Sequence, residues 1–295
     1  MKQILQSFKR FIKRTLRRFK KQVPVYIPVL QTDLLNGHTA LITGGTSGIG
    51  FAIAKSFLSS GATVVITGRN IERVRNICNE LISINAGNYA EKVYGIEMDI
   101  SKTQEIAKEV ADEIQAIHRK YGKIDILVNN AGILQGGAFG SVSENDYNMT
   151  LDTNLKGIYF LSQIMANYMK TNKIPGNILN IASSSSLRPA ISPYTITKWG
   201  IRGFTLGLAK ALIPYGIVVN GLAPGPTATP LLVKDGYNGI EHAPSLPAGR
   251  YVTAEEIANM AVILVSSCGK MIIGDIIYMT GGAGTITLDD VPYTF

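Results

Sequence analysis

Seven short apolar runs alternate with stretches of helical period along most of this chain, and that alternation limits the fold more than any other feature. The runs cover residues 39–43, 63–67, 93–99, 125–129, 177–182, 217–223 and 276–279. Short, nearly continuous apolar runs read as strands buried on both faces. Helical connections between them place the strands parallel and cover both sides of the sheet. With 295 residues the chain is long enough for one large α/β domain with a substantial core. No internal repeat interrupts the pattern.

The first run ends in a glycine turn. Ala40-Leu41-Ile42-Thr43 leads into Gly44-Gly45-Thr46-Ser47-Gly48-Ile49-Gly50, and an apolar-periodic helix continues through Ala52, Ile53 and Phe57. Strand, glycine loop and helix start are the parts of a dinucleotide-phosphate site. Glycines admit a pyrophosphate close to the backbone, and the helix N-terminus offers free N–H groups and the positive end of its dipole. The G-x-G-x-x-G spacing is absent, because Ile53 stands three residues after Gly50. The turn reads instead as Thr-Gly-x-x-x-Gly-x-Gly.

The fifth run ends at Asn180-Ile181-Ala182-Ser183, and a helical segment then carries Tyr194-Thr195-Ile196-Thr197-Lys198. Tyrosine and lysine four positions apart share one helical face, about 6 Å apart at Cβ. A cation beside a phenol favours phenolate, so the spacing predicts a tyrosine pKa lowered toward neutrality. Such a tyrosine can exchange a proton with a substrate oxygen. Tyr-x-x-x-Lys also arises on helices by chance, so the pair gains meaning only beside the glycine turn.

Together these motifs resemble the short-chain dehydrogenase/reductase family across about residues 34–284. Asp99, followed by Ile100, matches the family's adenine-contacting aspartate. Asn129-Asn130-Ala131-Gly132 matches its Asn-Asn-Ala-Gly signature, and Asn154 matches the catalytic-site asparagine. Pro224-Gly225 with Thr229 matches the Pro-Gly-x-x-x-Thr segment that contacts nicotinamide in relatives. The resemblance implies a Rossmann-like, doubly wound α/β fold of seven parallel strands with helices on both faces. The expected order is 3-2-1-4-5-6-7, with the cofactor at the switch point outside the strands' carboxyl ends.

The resemblance also implies roles. Thr43, Gly44, Thr46, Ser47, Gly48, Ile49 and Gly50 would hold the cofactor phosphates. Asp99 and Ile100 would hold its adenine end, and Asn130, Ala131 and Gly132 its middle. Pro224, Gly225 and Thr229 would meet the nicotinamide. Hydride would pass between nicotinamide C4 and a carbonyl carbon. Tyr194 would be the general acid, and Lys198 would lower its pKa and bind the nicotinamide ribose. Ser183 would hydrogen-bond the substrate oxygen and stabilise developing alkoxide charge. Asn154 would hold a water that extends the proton path from Lys198. The interval from Ser183 to Tyr194 is shorter than in most relatives. Aligning on the strand selects Ser183, with Ser184 and Ser185 as alternatives.

The second strand ends Ile66-Thr67-Gly68-Arg69-Asn70. Gly68 stands where NAD-using relatives often carry an acid, and Arg69 comes next. An arginine there accommodates a ribose 2′-phosphate, so NADP is the expected cofactor, with NADPH preferred over NADH. Alternatively Arg69 is a solvated helix-start cation, as Arg73 and Arg75 are expected to be.

The net charge of +8 is unevenly distributed. Residues 1–21 hold nine of the 29 Lys/Arg and no acid, leaving 20 basic against 21 acidic side chains in the body. The body is therefore no nucleic-acid binder. In the basic segment Ile4, Leu5, Phe8, Phe11, Ile12, Leu16 and Phe19 recur at helical spacing. Residues 1–22 read as an amphipathic helix that lies on an anionic membrane surface, without the apolar length to span one. It can instead dock on the protein's own body, bind a partner subunit, or serve as an organellar presequence. Residues 23–36, with Pro24 and Pro28, form an extended linker. Residues 37–284 form the oxidoreductase domain and 285–295 a tail that can reach a neighbouring subunit. Cys78 and Cys268 lack metal-ligand spacing and read as reduced core thiols of a cytoplasmic protein. His38, His118 and His242 form no metal set.

Substrate choice falls to loops 133–142, 187–193 and 231–251. Leu231, Leu232, Val233, Tyr237 and Ile240 give the third an apolar character that suits an apolar or amphiphilic carbonyl or alcohol. Arg188 can meet an anionic group or remain at the surface. The leading expectation is an NADPH-dependent carbonyl reductase, assembled as a homodimer or homotetramer. The alternatives are an NAD-dependent alcohol or sugar dehydrogenase working oxidatively, and a cofactor-binding scaffold or sensor.

Overall fold

The computed structural model describes residues 33–84, 89–136, 139–229 and 246–286, with backbone alone for 104–110. Its strands are β1 Thr39–Ile42, β2 Thr63–Gly68, β3 Val93–Glu97, β4 Ile126–Asn129, β5 Gly176–Ile181, β6 Ile217–Pro224 and β7 Ile276–Met279. All pair in parallel, in the order β3-β2-β1-β4-β5-β6-β7. Fold class and strand order are those expected. Every residue of β1, β4 and β6 is buried, which is why these strands read as continuous apolar runs rather than alternating ones.

Helices cover both faces. They are α1 Gly48–Ser59, α2 Ile71–Ser83, α3 Thr103–Tyr121, α4 Glu144–Leu151, α5 Gly157–Thr171, α6 Pro193–Leu212 and α7 Ala254–Val265. The period-2 geometry of a strand divides the core in two. Leu41 and Leu127 point to the layer of Ile117, Met165 and Ile201. Ala40, Ile42, Ile126 and Val128 point to the layer of Ile53, Phe57 and Ile257.

Local chemistry fixes where the helices that matter begin. Ser192 caps α6 by accepting from the Thr195 N–H, and Pro193 fills the first turn, where no N–H is needed. Thr253 and Glu256 form a capping box at α7, and Arg250 grips Glu256 at 2.6 Å. At α1 the Ser47 side chain makes no capping bond, so the first N–H groups remain available.

Three expectations are adjusted. Leu35, assigned to the linker, is fully buried, and its N–H donates to Ser60 O at 2.8 Å, so the domain begins before residue 37. Cys268 is exposed rather than a core thiol; Cys78 is half-buried, and burial pushes its thiol up to about 11. The strand expected over residues 93–99 stops at Glu97, so Asp99 and Ile100 follow β3. The segment 1–22 expected to form an amphipathic helix, residues 23–32 of the expected linker, most of loop 231–251, His242 and the tail beyond 286 lie outside the described residues. Among the described residues no helix is long and apolar enough to cross a membrane, and no cluster of metal-ligating side chains occurs.

Candidate active site

The carboxyl ends of β1, β2, β4, β5 and β6 open onto one cleft of about 790 Å³. Its floor is the glycine turn. Gly44 and Gly48 have φ of +63° and +55°, which side-chain-bearing residues rarely adopt. A Cβ on Gly50 would stand 2.4 Å from both Gly44 O and Asn130 Nδ2, so α1 can begin this close to the turn only with glycine there.

The two signature loops are latched together. Thr43 Oγ1 accepts from the N–H groups of Asn130 and Ala131 at 2.9 and 3.0 Å. Asn130 Nδ2 donates back to Thr43 O at 2.9 Å and Gly44 O at 3.2 Å. Thr43 and Gly50 therefore stand behind the cleft wall, although sequence reasoning placed them on the cofactor. Gly44, Thr46, Ser47, Gly48 and Ile49 do line it. So do Asp99, Ile100, Asn130, Ala131 and Gly132, and across the cleft Pro224, Gly225 and Thr229. Asp99 is held by the Ser101 N–H and hydroxyl at 3.0 and 2.7 Å. A Cβ on Gly225 would lie 2.6 Å from Thr280 Cα, so the β6 exit can pass this segment only as glycine.

At the β2 end Arg69 faces the cleft, and Arg73 stands beside it with its guanidinium 3.5 Å from Thr46 O. Arg73 was read from sequence as a solvated cation. Its place in the first turn of the helix that follows Arg69 was the available signal. A Cβ on Gly68 would come 2.8 Å from Thr46 Cγ2, so a side chain there would have to displace that of Thr46.

At the β5 end Ser183, Tyr194 and Lys198 converge. Lys198 is buried, donates from Nζ to Ile181 O at 2.9 Å, and lies 5.5 Å from the centre of the Tyr194 ring. Burial lowers its pKa to about 8. Burial raises the Tyr194 phenol above its usual value, and a hydrogen bond with the Ser183 hydroxyl opposes that rise. The expected lowering of Tyr194 by Lys198 is therefore absent. Desolvation outweighs it, and the ammonium is directed at a carbonyl. Ser183 Oγ also accepts from the Ser185 N–H at 3.1 Å. Ser186 turns away to Ser183 O and Tyr278. Of the four serines, Ser183 is the one joined to the phenol.

Asn154 sits one layer back, fully buried in a π-helical turn, Asp152–Lys156, between α4 and α5. Its Oδ1 accepts from Ile133 N and its Nδ2 donates to Ile133 O, both at 2.8 Å. Its amide clamps the loop after β4 and bridges protein groups rather than facing the cleft. π-turns of this kind are frequent at functional sites. Glycine cradle, open helix N-terminus and cationic β2 end fit a dinucleotide. The buried hydroxyl–phenol pair over a lysine fits proton exchange with an oxygen at the far end.

Comparison with known proteins agrees. The family model for short chain dehydrogenases matches residues 38–237. A 3-oxoacyl-[acyl-carrier-protein] reductase of Aquifex aeolicus is 35% identical over 256 residues, covering 84% of this chain and 98% of its own. Among solved structures, the 3-ketoacyl-(acyl-carrier-protein) reductase of Brucella melitensis complexed with NADH superposes with a TM-score of 0.72 at 30% identity, covering 85% of this chain and 99% of its own. A gluconate 5-dehydrogenase of Burkholderia cenocepacia in complex with NADP and tartrate gives 0.74 at 30% identity, covering 85% and 96%. The chain belongs to the short-chain dehydrogenase/reductase family, NAD(P)-dependent oxidoreductases that act on CH–OH and carbonyl groups.

Proposed function

We propose that the protein is an NADPH-dependent reductase that converts a carbonyl of an apolar or amphiphilic substrate to an alcohol. The reading rests above all on the meeting of the Ser183 hydroxyl with the Tyr194 phenol over buried Lys198. When bound, the nicotinamide supplies the hydride for the carbonyl carbon. Tyr194, kept protonated at neutral pH by burial, gives its proton to the carbonyl oxygen. Ser183 donates to the same oxygen as negative charge develops on it. Lys198, lowered to about 8, can return a proton toward the phenol near neutral pH. Asn154 holds Ile133 and the π-turn in place behind them.

Thr46, Arg69 and Arg73 would bind the 2′-phosphate, which supports NADPH over NADH. Leu134 and Ile133 give the cleft an apolar wall on the substrate side. Residues 1–21 are proposed to place the enzyme on an anionic membrane surface, and the catalytic body is proposed to assemble as a homodimer or homotetramer. Anionic liposomes should retain the full chain and release a chain lacking residues 1–21. The catalytic assignment is tested by Tyr194→Phe, assayed for NADPH oxidation with a panel of amphiphilic ketones. Loss of turnover with cofactor binding intact supports it, and ordinary turnover removes Tyr194 as the acid.

A further inference from the structure

The sheet order separates the charged groups of the cleft. Arg69, Arg73 and Asp99 follow β2 and β3, whereas Ser183, Arg188 and Tyr194 follow β5. Three strand spacings lie between β2 and β5, about 14 Å at the sheet. At the β5 end Lys198 is buried against Ile181 O, so Arg188 is the one exposed charge among the described lining residues there. Its guanidinium has no carboxylate partner among the described residues.

The backbone of Arg188 is nevertheless held firmly. Trp199 Nε1 donates to Arg188 O at 2.6 Å, and the Arg188 N–H donates to Ser185 O at 3.3 Å. Arg202 stacks on the Trp199 ring at 5.3 Å and donates to Ser186 O at 3.2 Å. The outer face of α6 thus clamps the loop that carries both Ser183 and Arg188. On its far side the arginine passes Gly284, whose φ is +78°, and a Cβ there would approach Nε to 3.5 Å. A held arginine at an otherwise uncharged end of a cleft matches the planar, two-oxygen geometry of a carboxylate.

We propose that Arg188 anchors a carboxylate on the substrate, so that the carbonyl or alcohol compound taken by this cleft is an oxo or hydroxy acid. Trp199 and Arg202 are positioning residues for that anchor. The inference rests on the reading of the cleft as a carbonyl-reductase site, but carboxylate recognition can be measured apart from turnover.

The test uses aliphatic oxo acids of graded chain length, each paired with its methyl ester. NADP-loaded protein is titrated with each compound. Fluorescence of the single tryptophan, Trp199, reports binding beside Arg188. NADPH-dependent turnover is measured on the same pairs. The wild type should favour at least one acid over its ester by about 10-fold or more, the scale of a charge-assisted bond. Arg188→Gln should bring that ratio close to one, and Arg188→Lys should leave an intermediate ratio, with cofactor titration as the folding control. Trp199→Phe, followed by turnover alone, should raise KM for the acid more than for the ester. A wild type that binds no acid better than its ester, or an Arg188→Gln protein that keeps the preference, overturns the proposal. Selective acid binding without turnover would leave Arg188 in place and reject the reductase reading instead.

Discussion

Lys198 donates from Nζ to the carbonyl of Ile181, the last residue of β5, at 2.9 Å from a position almost sealed from solvent. Burial disfavours its charged form and brings its pKa to about 8 from 10.5. Between those two values the unfolded chain keeps a proton that the folded protein sheds, so this residue's contribution to stability rises with pH. Wild type should therefore gain up to about 2–3 kcal/mol relative to Lys198→Met on going from neutral pH to about pH 10.5. Urea unfolding of both proteins across that range checks it; a constant difference would show that the lysine is not desolvated.

Asp125, at the amino end of the central strand β4, behaves with the other sign. Burial alone would raise its carboxyl, but bonds from His38 at 2.8 Å, Lys123 at 2.6 Å and the Thr39 N–H at 2.9 Å hold it below the usual value. Its stabilising contribution is present above the unfolded carboxyl range and disappears as pH falls through the lowered folded value. Asp125→Asn should cost about 1–3 kcal/mol at neutral pH. That deficit should shrink progressively below about pH 4. Thermal melts of both proteins at stepped pH measure the gap.

Gly50→Ala should damage the cofactor site through the backbone. The added methyl would meet Gly44 O and Asn130 Nδ2 at 2.4 Å, in the latch between the two signature loops. Overpacking of this kind costs about 1–3 kcal/mol. NADPH affinity should fall with stability, as read by titration and by denaturant unfolding of the same protein.

Arg69 and Arg73 should act together on cofactor choice. Each single change to alanine should weaken NADPH by about 10-fold, the scale of a charge-assisted phosphate contact, with little effect on NADH. Arg69→Asp should move preference toward NADH. Unchanged selectivity in that variant would place the 2′-phosphate elsewhere.

Much of this was legible in the sequence. The apolar runs located the strands because buried parallel strands leave no polar alternation to misread, and the runs at 39–43 and 217–223 match β1 and β6 closely; the strand order came from the family resemblance. Tyr194 and Lys198 were found by their spacing together with the glycine turn, and Ser183 by aligning the strand end with the family it resembles. What escaped depends on side-chain direction. Thr43 and Asn154 carry family motif positions, yet their polar atoms tie backbone to backbone behind the cleft. Arg73 looked like any surface cation until α2 turned it toward Thr46. The direction of the Tyr194 shift was missed because spacing reports the neighbouring charge but not the desolvation.

The most direct measurement is a fluorescence titration of the purified protein with NADPH and, separately, with NADH. Saturable binding with NADPH tighter by about 10-fold or more is the predicted result. A folded protein that binds neither nucleotide, or that favours NADH, would contradict the account.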